Sequence, residues 1–156
     1  MTEFCDSTGR TWALVLTLGS AKQIYDKLGV DLLNPTTMIT TDEDGNPDMN
    51  LSTLPRLFVD DIFIGDIITH LVANQAEQRG IDEIELLNLF DGKTLKKAHE
   101  AFLKEYHNFF MERGNKVGMS LVESVEMGLK NLEQAELNGE QSSTLPEKPE
   151  SSPSTT

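Results

Sequence analysis

The residues of this chain that could do chemistry are three histidines, one cysteine and a few clusters of acids, and their spacing decides what they could do together. Asp42, Asp44, Asn46, Asp48 and Asn50 alternate oxygen donors in the manner of a calcium loop. An EF-hand loop needs glycine at its sixth position for the sharp turn and a bidentate glutamate at its twelfth. Counted from Asp42, those places hold Pro47 and Thr53, so the stretch reads as a solvated turn. His99 and His107 lie eight residues apart on one expected helix. That separation is about 12 Å along the axis, too far for both to hold one ion. His70 has no His, Cys or Glu three or four positions away, only Asp66 one turn before it.

Asp60 with Asp61, and Asp82 with Glu83 and Glu85, are the closest carboxylate groups. A catalytic pair faces its substrate from two sides in two different environments. These acids instead fall at expected helix starts, where the helix dipole favours negative charge. Cys5 has no neighbouring histidine to lower its thiol pKa. Ser20 follows a strand-to-helix switch, yet Leu18-Gly19-Ser20-Ala21-Lys22 lacks the second glycine of a nucleophile elbow, so Ser20 reads as a helix cap. Gly9, Gly19 and Gly29 belong to separate turns and make no phosphate loop. What remains for catalysis is His70, Asp66 and Tyr106, which would need a closed pocket of roughly 300 Å3 around them. The sequence assigns no catalytic, cofactor-binding or metal-binding residue and no cofactor.

Charge narrows the partners. Asp and Glu number 26 against 13 Lys and Arg, a formal charge of -13 over 156 residues. Between positions 40 and 69, seven acids face only Arg56. Such a surface repels phosphate backbones and anionic lipids, so neither nucleic acid nor membrane is expected as a partner. Lys93, Lys96, Lys97 and Lys104 form the richest basic group, but Glu100 and Glu105 interrupt it, and it reads as a solvated helix face. The opening Met1-Thr2-Glu3-Phe4 lacks the basic and apolar regions of a secretory signal, and Asp60, Asp61 and Asp66 break the apolar run over 57–73. The cytoplasm is the expected location. A single cysteine allows no internal disulfide, so stability must come from a packed core, for which a 38% hydrophobic content is adequate.

The expected class is α+β: a small N-terminal antiparallel hairpin packed on a mainly α-helical bundle. One domain spans 1–137, and a disordered tail rich in Ser, Thr, Pro and Glu spans 138–156. Asp6-Ser7-Thr8-Gly9-Arg10 has turn composition between Phe4 and a strand over 11–18, whose Trp12, Leu14, Leu16 and Leu18 share one face. Ser20 then caps a helix with an inner stripe of Ala21, Ile24, Tyr25 and Leu28, and Gly29 ends it. A short helical turn over 31–34 closes before Pro35. The stretch 36–56 is a second hairpin or a mobile lobe, with 37–41 facing 49–54 across the acidic loop.

The period then becomes helical. Ile64, Ile67, Ile68, Leu71 and Val72 make one stripe of a helix ending near Gly80, with Arg79 at its finish. Asp82 caps a shorter helix carrying Ile84, Leu87 and Phe90. From Thr94 the longest apolar face runs through Leu95, Ala98, Phe102, Leu103, Tyr106, Phe109 and Phe110, with Lys96, Lys97, Glu100, Lys104 and Glu105 toward water. A last helix carries Leu121, Val122, Val125, Leu129 and Leu132 and stops at Asn138-Gly139.

The stretch RTWALVLTLGSAKQIYDKLGVDLL over 10–33, and within it Leu28-Gly29-Val30-Asp31-Leu32-Leu33, resembles the opening of small proteins encoded among phage and prophage tail genes and described as tail assembly chaperones. Gln75-Ala76-Glu77-Gln78-Arg79-Gly80, and the run from Ala98 to Phe109-Phe110, are similar to later parts of the same pattern, so that the likeness covers about 4–112. The resemblance implies a non-catalytic chaperone or adaptor that binds the tape measure protein and helps recruit tail tube subunits. A structural tail completion or connector component of the virion is the alternative in the same setting, and a small enzyme or ligand-binding protein is the third. The oligomeric state and the identity of the client are open.

Overall fold

The computed structural model describes residues 1–142, with side chains to residue 137. The class is α+β: two small antiparallel hairpins packed against a bundle of six helices. Of the tail expected over 138–156, the part after Ser142 lies outside the described residues.

The first hairpin pairs β1 (Thr2–Cys5) with β2 (Thr11–Leu14), placing Phe4 opposite Trp12 and Thr2 opposite Leu14. Its turn is organised by Asp6, whose Oδ1 accepts the Thr8 and Arg10 amides while Gly9 takes a φ of +84°. The second hairpin, β3 (Thr40–Thr41) with β4 (Pro47–Asp48), uses the same device. There Asp42 Oδ1 accepts the Asp44 and Asn46 amides and Gly45 sits at +83°. A five-residue Asp-x-x-Gly-x turn thus recurs, because a short carboxylate can satisfy amides two and four residues on while glycine supplies the left-handed step. The alternating oxygens of the acidic loop are those of a hairpin turn. This hairpin is tighter than the 37–41 with 49–54 pairing read from the sequence.

β2 is shorter than expected, since the chain leaves the sheet after Leu14. Trp12, Leu14 and Leu16 are buried, but Leu18 is 71% exposed because it opens α1 (Leu18–Leu28). Thr17, and not Ser20, is the N-cap: its side chain accepts the Ser20 amide, and the Ser20 hydroxyl accepts the Thr17 amide. Ser20 fills the third helical position of a reciprocal capping box. Ala21 and Ile24 face the core, Tyr25 is exposed, and Gly29 closes the helix at φ +70°.

Pro35 begins a 3₁₀ turn (Pro35–Met38) and does not close a helix before it. Its fixed φ suits a first helical position, where its missing N–H costs nothing. A short α2 (Arg56–Val59) then leads into α3 (Asp61–Gln78), which Asp60 caps by accepting the Phe63 amide. Phe63, Ile64, Ile67, Ile68 and Val72 of α3 are buried. α4 (Glu83–Asn88) is capped by Asp82 as read, but it buries Leu86 and leaves Ile84 and Leu87 exposed. Asp91 caps α5 (Gly92–Arg113) by accepting the Thr94 amide, so the helix starts two residues earlier than the start read at Thr94.

α5 is the centre of the bundle. Ala98, Phe102, Tyr106 and Phe110 are buried along it, with ring centroids 5.6 Å apart for Phe102 and Tyr106 and 4.8 Å for Tyr106 and Phe110. Glu105, expected toward water, is buried at 5% exposure. Its Oε1 accepts the Leu16 amide at 3.1 Å, and the Met1 ammonium lies 3.0 Å from Oε2, off the line of a directed hydrogen bond. The carboxylate faces the point where the chain leaves β2, and that contact is what draws it inward.

α6 (Lys116–Ser142) packs Val122 and Val125 into the core through its first half. It passes through Asn138 and Gly139 where the sequence suggested a stop. Each of these residues disfavours a helix by at most about 1 kcal/mol, and good helix formers precede them.

Candidate functional site

The histidines and acids weighed for chemistry are placed apart. The Tyr106 hydroxyl donates to the Leu32 carbonyl at 2.6 Å inside the core. Burial, and secondarily the nearby Asp31 carboxylate, raises its pKa far above the ordinary phenol value. His70 Nδ1 lies 2.6 Å from the carbonyl oxygen of Asp66, the residue one turn before it. His70 lines a groove of about 290 Å3 between α1, α3 and α4, together with Lys27, Ala73 and Leu86, and neither Asp66 nor Tyr106 reaches that groove. The three do not form a cluster. His99 Nε2 lies 2.6 Å from the Leu57 carbonyl oxygen, a strut between α5 and α2, and His107 Nε2 lies 3.3 Å from Glu126 Oε2, between α5 and α6.

Of the acids at helix starts, Asp60, Asp82 and Asp91 act as caps, while Asp61, Glu83 and Glu85 lie in first turns. Backbone donation from Phe63 is the main reason that the Asp60 carboxyl is held below its ordinary pKa, aided by Arg56. Donation from the Thr94 amide and hydroxyl does the same for Asp91. Asp48 Oδ1 accepts the Asn50 and Leu51 amides, so the acidic loop spends its oxygens on its own backbone. Among the described residues, no three His, Cys, Asp or Glu side chains come together as a metal site, and no helix is long and apolar enough to cross a membrane. Cys5 is exposed, with Sγ 3.6 Å from Thr11 Oγ1.

The surface offers a different kind of site. Between α2, the middle of α5 and the second half of α6 lies an open groove of about 610 Å3, with Phe58, Val59, Leu103, Leu129 and Leu132 as its apolar lining. Its walls are fixed from several directions. The Met38 carbonyl accepts the Thr53 and Leu54 amides just ahead of α2. Arg56 pairs with Asp60 at 3.0 Å and lies 4.3 Å over the Phe63 ring, so α2 is anchored at both ends. Opposite, Glu126 joins α6 to α5 through His107 and pairs with Lys130 Nζ at 3.3 Å.

This groove keeps large apolar groups in water. Val59 is 63% exposed and Leu132 is 64% exposed, whereas Phe58, Leu103 and Leu129 are half-buried. In the α1–α3–α4 groove, by contrast, Ala76, Ile81 and Leu86 are already buried, and Lys27, Glu77 and Glu83 mix charge around them. The α2–α6 groove is therefore the better candidate for contact with another molecule. In the sequence, Leu129 and Leu132 stand in the apolar stripe of the last helix, with nothing in residue type to set them apart from the buried Val122 and Val125. The available signal was that their stripe continues past Val125 into the far half of a long helix, where Leu137 too is exposed. Compared with known proteins, the chain matches no family model, no curated protein and no solved structure.

Proposed function

We propose that this chain is a non-catalytic assembly chaperone or adaptor that reversibly covers an apolar segment of a client protein. By the resemblance of its opening to tail assembly chaperones, the setting is phage tail morphogenesis, and the client is the tape measure protein before tail tube subunits polymerise around it. One observation carries the reading: Val59 and Leu132 stand exposed in a groove whose other apolar walls are half-buried. Helix-in-groove recognition needs such a pre-formed apolar channel on a well-packed body. The formal charge of -13 keeps a complex with an apolar client dispersed.

Co-expression with tape measure and tail tube proteins, followed by size exclusion, tests the reading. A soluble complex with the tape measure protein that disappears as the tube assembles is the expected result, and Leu132→Asp should release the client. Retention in finished particles would favour the connector role instead. Failure to bind any tail component would remove both.

A further inference from the structure

We propose that the α2–α6 groove receives a partner helix that is apolar on one side and carries lysine or arginine along its flanks. This deepens the adaptor reading above, and rests on it, by naming the chemistry of the client. From Glu126 to Glu136 the groove follows α6 for about 15 Å, which matches nearly three turns of a docked helix. Its lining supplies apolar anchors at helical spacing, with Leu132 and Val59 the most open.

The rim supplies the charge preference. Glu126 is already held by Lys130 and His107, but Glu133 and Glu136 line the groove without an ion pair among the described residues. Two carboxylates beside an apolar channel favour a helix whose long basic side chains lie over its leucines and reach the rim with their charged ends. A second copy of this chain is a poor occupant, because pairing α6 with α6 would set Glu133 and Glu136 against their equivalents.

The test uses the full chain and three labelled helical peptides with one leucine spacing (i, i+3, i+7), flanked by Lys, Gln or Glu, read by fluorescence anisotropy. The Lys-flanked peptide should bind about 10-fold more tightly than the Gln-flanked one, and the Glu-flanked one should bind least. Added salt should narrow these differences. Leu132→Asp should weaken the Lys and Gln peptides alike, and the double variant Glu133→Lys, Glu136→Lys should invert the preference. All three residues are exposed, so circular dichroism should report an unchanged fold.

Equal binding of the three peptides, still lost in Leu132→Asp, would overturn the basic partner and leave the adaptor reading standing. Binding that ignores Leu132→Asp would place the site elsewhere and overturn the proposal. No binding by any peptide would overturn the proposal and the groove as the adaptor's site. A dimer that Leu132→Asp dissociates would show that a second copy fills the groove, with the same consequence.

Discussion

The side-chain amide of Gln75 holds the backbone of Ala13 from both sides: Oε1 accepts the Ala13 amide at 3.0 Å and Nε2 donates to the Ala13 carbonyl at 2.7 Å. Ala13 lies on the edge of β2 that β1 does not cover, so a helix side chain here replaces a third strand. One turn on, Arg79 donates from Nη2 to the Thr11 carbonyl and lies 4.4 Å over the Trp12 ring. An uncovered edge would be a template for pairing with another chain. Gln75→Ala should lower stability by about 1–3 kcal/mol for the two lost bonds. It should also raise hydrogen exchange at Ala13 well beyond that at Leu14. Unchanged exchange at Ala13 would mean that the edge is protected by something else.

Asp6 gathers four donors on one buried carboxylate: the Thr8 amide and hydroxyl and the Arg10 amide on Oδ1, and the Trp12 indole N–H at 2.8 Å on Oδ2. Burial pushes its pKa up, but these hydrogen bonds together outweigh it, so the carboxyl sits below its ordinary value. The stability it contributes is therefore present above the unfolded value of about 3.9 and lost as pH falls through the lower folded value. Asp6→Ala should cost about 3 kcal/mol, because it strands a buried indole N–H and removes charge-assisted bonds. Asp6→Asn should flatten the fall of the urea midpoint below about pH 4. An acid profile unaltered by Asp6→Asn would contradict this account.

The long helices were legible because their apolar stripes at 3.6-residue spacing are local facts. Phe102, Tyr106 and Phe110 are buried as their positions on α5 require. What escaped depends on partners distant in sequence. Glu105 looks like one more surface charge among lysines, and only the Leu16 amide, 89 residues away, makes it a buried group. Pro35 marks a boundary on either side, so sequence alone does not say whether it ends one turn or starts the next. Ile84 and Leu87 fit an amphipathic pattern on a helix too short for the pattern to fix which face turns inward. The groove escaped for a related reason: Leu132 continues the buried stripe of α6 past the body that would have covered it.

Tyr106 sets an alkaline limit. Its hydroxyl is enclosed and donates to the Leu32 carbonyl, and burial followed by the Asp31 charge raises its pKa. A raised folded value means that its contribution is complete below the unfolded value of about 10 and is lost as pH rises beyond it. Tyr106→Phe should cost about 1 kcal/mol at neutral pH for the lost hydrogen bond and should reduce the loss of stability above about pH 10. In the parent chain, part of the tyrosinate absorbance should appear only on unfolding. Complete ionisation of both tyrosines in the folded state would refute the enclosed hydroxyl.

Gly118 and Gly128 lie in the same helix and should respond oppositely to alanine. A Cβ on Gly128 would meet nothing within 4 Å, so Gly128→Ala should gain the ordinary helix preference of about 0.5–1 kcal/mol. A Cβ on Gly118 would fall 2.8 Å from Asn115 Nδ2 and 3.2 Å from the Phe110 ring. Asn115 Oδ1 accepts the Gly118 amide at 3.0 Å, so moving that side chain aside gives up a helix cap, worth about 1 kcal/mol, while the buried ring has little room to yield. Gly118→Ala should therefore fail to stabilise and should lower the melting temperature, while Gly128→Ala raises it. An equal rise in both would mean that α6 does not seat against Phe110 as described, and with it would go the position of Leu129 and Leu132 at the groove.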